Sequence, residues 1–239
     1  RRADVVTVLS EDLAENVLTK LATAGSATTD VVVIPNFVDT EKLAPTDGER
    51  YRAEFNLGAG PVVMYAGNLG YSQSLDLMIG LAEPRPDITV VVNGDGAMRE
   101  TIIAAAARMS NLRYVGYQPA ERLAEVLSAA DIHVVPLRAG LGAVSVPSKT
   151  YSVLAVGRPV IAAMDADSAI VRLLDESEAG VSVPPNDLAA LLKAVDELLG
   201  DPDSRLNMGA RGREWVMEHA SPPAAALAYE NVLAGTEIG

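Results

Sequence analysis

The sequence predicts an α/β fold built on a doubly wound parallel sheet, with extra helices at its carboxyl end. Short β-branched runs alternate with helical patterns along the chain, which is typical of parallel strands joined by helical crossovers. Several runs, such as VVMYA and TVVVN, are apolar at consecutive positions, as in strands that helices cover on both faces. The predicted strands are residues 5–9, 31–34, 61–66, 88–93, 112–115, 132–136, 159–163 and 180–183.

Start signals mark the helices between and after these strands. Ser74 and Asn186 are predicted to cap two of the intervening helices. An acidic, turn-rich stretch before residue 61 indicates a connector with a short helix at its centre. After residue 200 the pattern is purely helical, and Asp201 and Ser221 each precede a proline. Because proline is favoured in the first turn, we expect two closing helices.

The composition excludes several kinds of site. The 239 residues include no cysteine and two histidines, which excludes a disulfide framework and any metal site built on thiolates or several histidines. A net charge of −13 disfavours binding to nucleic acid or to an anionic membrane. No apolar run reaches the roughly 20 residues of a membrane-spanning helix, and no signal peptide is recognisable. We expect a cytoplasmic protein.

Ligands of an open parallel sheet bind at the carboxyl ends of the strands, where loops lead into helices. The loop after strand 61–66 contains two glycines, so its backbone could approach an anion closely. A tight turn without a ligand explains the same residues. The candidate residues of this loop are Gly67, Asn68, Leu69, Gly70 and Gln73.

The next two loops give weaker signals. Gly94 and Gly96 form a GxG pattern, but Arg99 stands where the dinucleotide fingerprint needs its third glycine, so dinucleotide binding is a minor alternative. After strand 112–115, Tyr117 and Gln118 could contact a nucleotide base beside exposed main chain. A turn into the following helix is an equally good interpretation of that loop.

The loop after strand 132–136 is the most informative. It runs through Val146, Pro147 and Ser148 to Lys149 in the first turn of a predicted helix. Lysine opposes the helix macrodipole at that position, so we interpret Lys149 as a group that binds an anion, usually phosphate. A solvated surface lysine is the alternative interpretation. Residues 98–158 carry seven basic and four acidic groups, whereas residues 1–97 and 165–239 are strongly acidic. An anionic ligand would therefore dock near Lys149.

No motif for nucleophilic, paired-carboxylate or metal-dependent catalysis occurs in the sequence. His133 lies within an apolar strand pattern and is predicted to belong to the core. The catalytic residues are therefore unknown from the sequence, and no metal ligands are assigned.

Six segments in order resemble the nucleotide-sugar-binding half of a retaining glycosyltransferase of family 4, a group 1 glycosyltransferase with the GT-B fold. They are VIPNFVDTEKL, YAGNLGYSQSLDLMI, VVNGDGAMRETI, NLRYVGYQPAERLAEVLSAADIHVVPL, VPSKTYSVLAVGRPVIA and EAGVSVPPNDLAALLKAV. The PSK triplet resembles the subgroup found among bacterial polysaccharide and capsule glycosyltransferases. The resemblance implies the carboxyl-terminal, Rossmann-like half of a GT-B fold.

The resemblance implies a role for each loop. The segment 67–70 would face the donor diphosphate, and Gly94 and Gly96 would lie beside the nucleotide. The base pocket would be lined by Tyr117, Gln118 and Leu123. Ser148 and Lys149, after Val146 and Pro147, would meet phosphate or the donor sugar. Such enzymes need no metal or cofactor, because basic side chains and dipoles stabilise the leaving diphosphate.

The sequence departs from the family pattern at four positions. Asn68 and Gln73 stand where many members have the arginine and lysine that grip the diphosphate. Val144 and Ser152 stand where many have a pair of glutamates, the second of which contacts the ribose. These departures imply either a divergent phosphate clamp, with Lys149 supplying the charge, or weakened donor binding.

The resemblance also divides the chain. Residues 1–45 would be the end of an amino-terminal acceptor domain with the interdomain linker, residues 46–215 the donor-binding domain, and residues 216–239 the closing helices. The intact enzyme would transfer a sugar from a nucleoside diphosphate to a glycan or lipid-linked acceptor with retention, in the cytoplasm or peripherally at the inner face of the membrane. We expect the chain alone to be inactive, because acceptor binding and catalysis involve the other domain.

Two other functions stay open at this point. A non-catalytic module that senses nucleotide sugars or acts as a scaffold would fit the missing charged pairs. A nucleotide-sugar epimerase would need acid and base side chains around the sugar, and the loops offer almost none.

Overall fold

The computed structural model describes residues 3–25 and 29–235. The predicted doubly wound α/β fold is confirmed, and all eight strands occur where the sequence predicts them, within one residue at each end. The strands are β1 Val5–Val8, β2 Asp30–Val33, β3 Val62–Ala66, β4 Thr89–Asn93, β5 Leu112–Val115, β6 Ile132–Pro136, β7 Val160–Ala163 and β8 Gly180–Val183.

The helices connect and cover the strands. They are α1 Glu11–Thr23, α2 Glu49–Glu54, α3 Asp76–Ala82, α4 Arg99–Ala106, α5 Leu123–Ser128, α6 Lys149–Ala155, α7 Ala169–Ser177, α8 Leu188–Gly200, α9 Pro202–His219 and α10 Pro222–Ala234. Two single 3₁₀ turns, Ala120–Arg122 and Gly142–Val144, interrupt the loops after β5 and β6. The connector helix and both closing helices agree with the prediction.

All strand pairs in the described structure are parallel. The six-stranded sheet has the order β5-β4-β3-β6-β7-β8, and β1 and β2 form a separate two-stranded sheet. The order reverses direction between β3 and β6, so the connections that leave these two strands run to opposite sides of the sheet. A crevice opens at such a switch point.

Alternate residues of the central strand β3 pack on opposite faces of the sheet. Val63 and Tyr65 belong to the core beneath α3, α4 and α8, whereas Val62 and Met64 face α2 and α5. All four side chains are fully buried. The consecutive apolar residues of the VVMYA run thus have a direct physical cause, since helices cover both faces of β3.

The connector between the two sheets is fastened by Arg52 of α2. Its guanidinium donates to the carbonyl of Ala129 at 2.7 Å and to the carboxylate of Asp131 at 2.8 Å. The same Asp131 oxygen accepts the backbone N–H of Val62 at 2.8 Å. These bonds hold α2 against the amino ends of β3 and β6, opposite the edge where ligands are expected.

Two predicted caps are wrong. Helix α3 begins at Asp76 without a side-chain cap, because the Ser74 hydroxyl instead bonds the side chain of Asn186 at 2.5 Å. Asn186 has a positive φ of 61°, and Asp187 caps α8 by accepting the N–H of Ala190. The sequence could not reveal this pair, since the two side chains are 112 residues apart.

Helix α9 packs closely on the six-stranded unit. A Cβ placed on Gly209 would lie 2.1 Å from the carbonyl oxygen of Gly157, at the end of α6. The proposed domain boundary between residues 215 and 216 falls inside α9. Residues 202–215 and 216–219 therefore belong to one continuous helix.

We expect Gly209→Ala to lower the free energy of unfolding by about 1–3 kcal/mol, because the new methyl group overpacks a backbone contact. Urea denaturation of the purified chain measures this loss. Gly200→Ala is the matched control, since its Cβ would have no neighbour within 4 Å and alanine favours helix by up to about 1 kcal/mol. Equal unfolding midpoints for the two variants would contradict the packing described.

Candidate functional site

A cleft of about 750 Å³ opens at the carboxyl edge of the six-stranded sheet, beside the switch point between β3 and β6. The loops after β3, β5 and β6, the end of β4, the helices α5 and α6 and the connector all contribute to its walls. The lining residues are Phe37, Val38, Ala66, Gly67, Asn68, Gln73, Asn93, Tyr117, Gln118, Pro119, Ala120, Leu123, Val126, Leu127, Ser145, Val146, Pro147, Ser148, Lys149 and Ser152.

The floor of the cleft is fixed by a crossing of the loops after β3 and β4. The N–H of Gly67 donates to the carbonyl of Asn93 at 2.9 Å, and a Cβ on Gly94 would lie 1.8 Å from the carbonyl oxygen of Gly67. Both glycines have φ of +146°, which other residues rarely adopt. Gly67 lines the cleft, whereas Gly94 and Gly96 lie beneath the first loop and pack against its backbone.

The loop after β3 closes on itself. The Oε1 atom of Gln73 accepts the N–H of Gly70 at 3.2 Å, and Leu69 is fully buried. Of the predicted residues in this loop, Gly67, Asn68 and Gln73 line the cleft, and Leu69 and Gly70 do not. No described residue hydrogen bonds to the side-chain amide of Asn68 or to Nε2 of Gln73, so these donors are available to a ligand.

Tyr117, Gln118 and Leu123 all line the cleft, as predicted for contacts with a ligand. Tyr117 is 59% exposed, which leaves it accessible to a ligand. Gln118 is held in place, because Nε2 donates to the carbonyl of Gly116 at 3.2 Å and Oε1 accepts from Arg122 at 3.0 Å. Its side chain is therefore a fixed wall, and the open ring of Tyr117 is the larger contact surface.

Lys149 carries the one charged side chain among the described residues that line the cleft. Its Nζ donates to the hydroxyl of Tyr65 at 2.6 Å and lies 4.1 Å from the centre of that ring. No described carboxylate pairs with it. Burial removes water from the amine and lowers the pKa of Lys149 to about 8. The cleft thus holds a poorly solvated cation that lacks a counter-charge.

Ser148 and Ser152 both line the cleft with Val146 and Pro147. Ser148 precedes α6, but its side chain makes no capping bond with the helix. The preceding loop is tied down by Asp165, whose carboxylate accepts the N–H groups of Gly140 and Gly142 at 2.8 and 3.0 Å. The start of α6 and its lysine are thereby held at the cleft.

His133 takes no part in the cleft. It is 1% exposed, its Nε2 lies 2.9 Å from the carbonyl oxygen of Leu127, and burial lowers its pKa to about 4. The predicted core position is confirmed. Among residues 3–25 and 29–235, no three His, Asp or Glu side chains are grouped as metal ligands would be. Within the same ranges no helix combines the length and hydropathy that crossing a membrane requires.

Sequence reasoning missed several residues of the site, above all Tyr65 and the connector residues Phe37 and Val38. A signal for Tyr65 was present, since a tyrosine in a strand covered on both faces must place its hydroxyl somewhere polar. Phe37 and Val38 gave no signal, because their approach to the cleft depends on how the connector folds back.

Comparison with known families identifies the chain. Residues 60–201, more than half of the sequence, match the family described as "Glycosyl transferases group 1". The chain belongs to this family. The matched range contains every cleft residue except Phe37 and Val38.

Two curated proteins are similar over most of this glycosyltransferase family member. The 2-deoxystreptamine glucosyltransferase of Streptomyces kanamyceticus is 27% identical over 98% of the chain, which spans 62% of that protein. The GDP-mannose-dependent alpha-(1-6)-phosphatidylinositol monomannoside mannosyltransferase of Mycolicibacterium smegmatis is 29% identical over 91% of the chain and 58% of its own length. The chain thus spans about three fifths of each relative.

Solved structures show the same architecture. HepE of Anabaena, solved in complex with UDP-glucose, superposes on 98% of the chain and 65% of its own length with a TM-score of 0.79. The sequence identity is 16%, so this likeness concerns the fold. The parallel sheet with its flanking helices and extra carboxyl-terminal helices thus has the architecture of GT-B glycosyltransferases.

The burial of Lys149 predicts how stability depends on pH. Its pKa is about 8 in the folded chain against 10.5 for an ordinary lysine, so between these values the unfolded state binds more protons and stability rises with pH. We expect Lys149→Met to be more stable than the parent at pH 7, and this advantage to shrink as the pH approaches 10.5. Urea unfolding at several pH values measures both effects.

Lys193→Met is the control, because Lys193 is 77% exposed on α8. A constant difference in stability between the parent and Lys149→Met across this pH range would contradict the assigned burial.

Proposed function

We propose that the cleft binds a nucleoside diphosphate sugar, and that the chain is the donor-binding part of a retaining glycosyltransferase of family 4 in its PSK subgroup. The observation that carries this proposal is Lys149, a cation without a counter-charge in a cleft at the sheet's switch point. The preference of this position for an anion follows from charge and partial desolvation.

The lining of the cleft combines two kinds of chemistry. Its apolar side chains include Phe37, Tyr117 and Leu123, which suit the flat faces of a nucleotide base. Asn68, Gln73 and Lys149 present donors, which suit phosphate oxygens. A nucleoside diphosphate has both a flat base and a charged diphosphate, so it matches both parts of the lining.

The names of related proteins agree with this class of ligand. The Mycolicibacterium relative is described as GDP-mannose-dependent, and the Anabaena neighbour was solved with UDP-glucose. The apolar lining of the cleft offers contact to a purine or to a pyrimidine, so titration with different nucleotides identifies the base.

In the proposed reaction the bond between the anomeric carbon and the diphosphate breaks, and negative charge develops on the leaving oxygen. The ammonium of Lys149 would stabilise that charge, and the amides of Asn68 and Gln73 would donate to the same group. These three side chains take the place of the arginine and lysine found in many members. The proposal therefore needs neither a metal ion nor a cofactor.

We further propose that transfer requires an acceptor-binding region beyond the 239 residues. The relatives are longer than the stretch that this chain matches, and the acceptor would be a glycan or a lipid-linked sugar. In this proposal the isolated chain binds the donor without transferring its sugar.

We expect isothermal titration of the chain with UDP, GDP and ADP to find a ligand that binds with a dissociation constant below about 1 mM. Lys149→Ala should weaken that binding at least about tenfold, the loss of one charge-assisted hydrogen bond. Lys193→Ala is the control for removing a positive charge elsewhere. Undetectable binding of all three nucleotides, or a Lys149→Ala variant that binds like the parent, would disprove the proposal.

Donor binding should also take up protons near pH 8.5. At that pH part of the Lys149 population is neutral, since its pKa is about 8, and a neighbouring diphosphate raises the pKa again. Titration in two buffers of different ionisation enthalpy measures the uptake. It should vanish in Lys149→Met, and an uptake that persists in the variant would assign the proton to another group.

A non-catalytic nucleotide-sugar module is the second candidate. It is favoured by the lining itself, in which Asn68 and Gln73 stand where many members of the family have an arginine and a lysine, and Ser152 stands where many have a glutamate. Sugar transfer by the polypeptide in which this sequence occurs would exclude it. Epimerisation is disfavoured, because no described lining residue is an Asp, a Glu or a His.

A further inference from the structure

A fully buried tyrosine connects Lys149 to the loop after β3. Tyr65 is 0% exposed and is the penultimate residue of β3. Its hydroxyl lies 2.5 Å from the carbonyl oxygen of Asn68 and 2.6 Å from Nζ of Lys149. One hydroxyl thus contacts both phosphate-facing parts of the cleft, which are 81 residues apart in the sequence from Asn68 to Lys149.

The direction of these two bonds follows from the proton count. A tyrosine hydroxyl has one proton, and the carbonyl of Asn68 can only accept. The proton of Tyr65 therefore points to Asn68, and the oxygen of Tyr65 accepts from Lys149. Burial raises the pKa of Tyr65, so the hydroxyl keeps its proton throughout the range in which Lys149 titrates.

This arrangement orients the lysine. A charged Lys149 has three N–H groups, and Tyr65 engages one of them, so two stay available on the side of the cleft. The amine also lies near the backbone of Gly67, since a Cβ on that glycine would be 3.1 Å from Nζ. Among the described residues, no carboxylate pairs with the ammonium of Lys149, and the Tyr65 hydroxyl is its one hydrogen-bond partner.

We propose that Tyr65 is a positioning residue of the donor site, which holds the Lys149 ammonium at a set distance from the segment 67–70 so that both contact one diphosphate. This inference rests on the proposed function. The ring of Tyr65 packs in the core beneath α3 and α4, and a phenylalanine would fill the same space. The hydroxyl is therefore the part of the side chain that serves the site.

A double-mutant cycle tests the proposal with the nucleoside diphosphate that binds the parent most tightly among UDP, GDP and ADP. We expect Tyr65→Phe to weaken binding about tenfold when Lys149 is present, and less than about twofold in the Lys149→Met background. A general disturbance of the loop would instead weaken binding equally in both backgrounds, and that result would overturn the proposal. So would a Tyr65→Phe variant that binds like the parent.

A second measurement needs no nucleotide. The sequence has four lysines, so the Cε signal of Lys149 can be assigned in chain labelled with ¹³Cε-lysine by its loss in Lys149→Met. In Tyr65→Phe the buried ammonium loses the acceptor that favours its charged form, so we expect its pKa to fall below about 8. An unchanged pKa would show that Tyr65 does not hold the amine.

Tyr151→Phe is the matched control for both measurements. Tyr151 is a buried tyrosine of the same helix as Lys149, and its ring packs against Trp215, 6.3 Å between centres. Its substitution should change neither nucleotide affinity nor the titration of Lys149, and urea unfolding should show all variants folded. If the parent chain binds no nucleotide but its Lys149 titration responds to Tyr65→Phe, the proposed function is wrong, whereas the hold of Tyr65 on Lys149 is confirmed.

Discussion

The close approach of Gly67 and Gly94 is the constraint on which the cleft depends. With 1.8 Å between the Gly67 carbonyl oxygen and the place where a Cβ of Gly94 would stand, any side chain there would push the two loops apart. The crossing continues where Leu69 donates its N–H to the carbonyl of Asp95 at 2.8 Å. Because the first loop is fixed from below, the carbonyl of Asn68 meets Tyr65, and the amides of Asn68 and Gln73 face the cleft. The GxG pattern of the second loop thus serves packing in this chain.

The described lining of the cleft has one charged side chain, that of Lys149, although the protein has a net charge of −13. The described lining of the cleft contains no carboxylate. One half-buried cation in such surroundings exerts a longer-ranged field than the same cation in water, since little solvent screens it. Burial also makes its charge depend on what is bound, so occupancy and protonation of Lys149 are linked. A cleft with two solvated cations would lack that linkage.

Much of the fold could be predicted from the sequence, because its signals are local. Consecutive apolar residues in VVMYA reflect helices on both faces of β3, and the two closing helices begin after Asp201 and Ser221 as expected. The position of Lys149 after a strand and a proline was likewise sufficient to single it out. What escaped prediction depends on contacts between distant segments, such as the bond of Tyr65 to Lys149, 84 residues away, and the pairing of Ser74 with Asn186. Ser148 had a suitable residue type for a cap, but the local backbone does not bring its hydroxyl to the helix.

The connector gives the cleft a wall that comes from outside the six-stranded sheet. Phe37 and Val38 line the cleft, and the N–H of Val38 donates to the carbonyl of Ala220, between α9 and α10, at 2.9 Å. The same connector leads back to the two-stranded sheet, whose helix α1 reaches α7 through an ion pair of Asp12 with Arg172. A ligand that touches both walls of the cleft therefore favours the arrangement of the two sheets in which those walls stand at the right separation. By reciprocity, any contact that stabilises this arrangement raises the affinity of the cleft for such a ligand, by the same factor by which the ligand strengthens that contact.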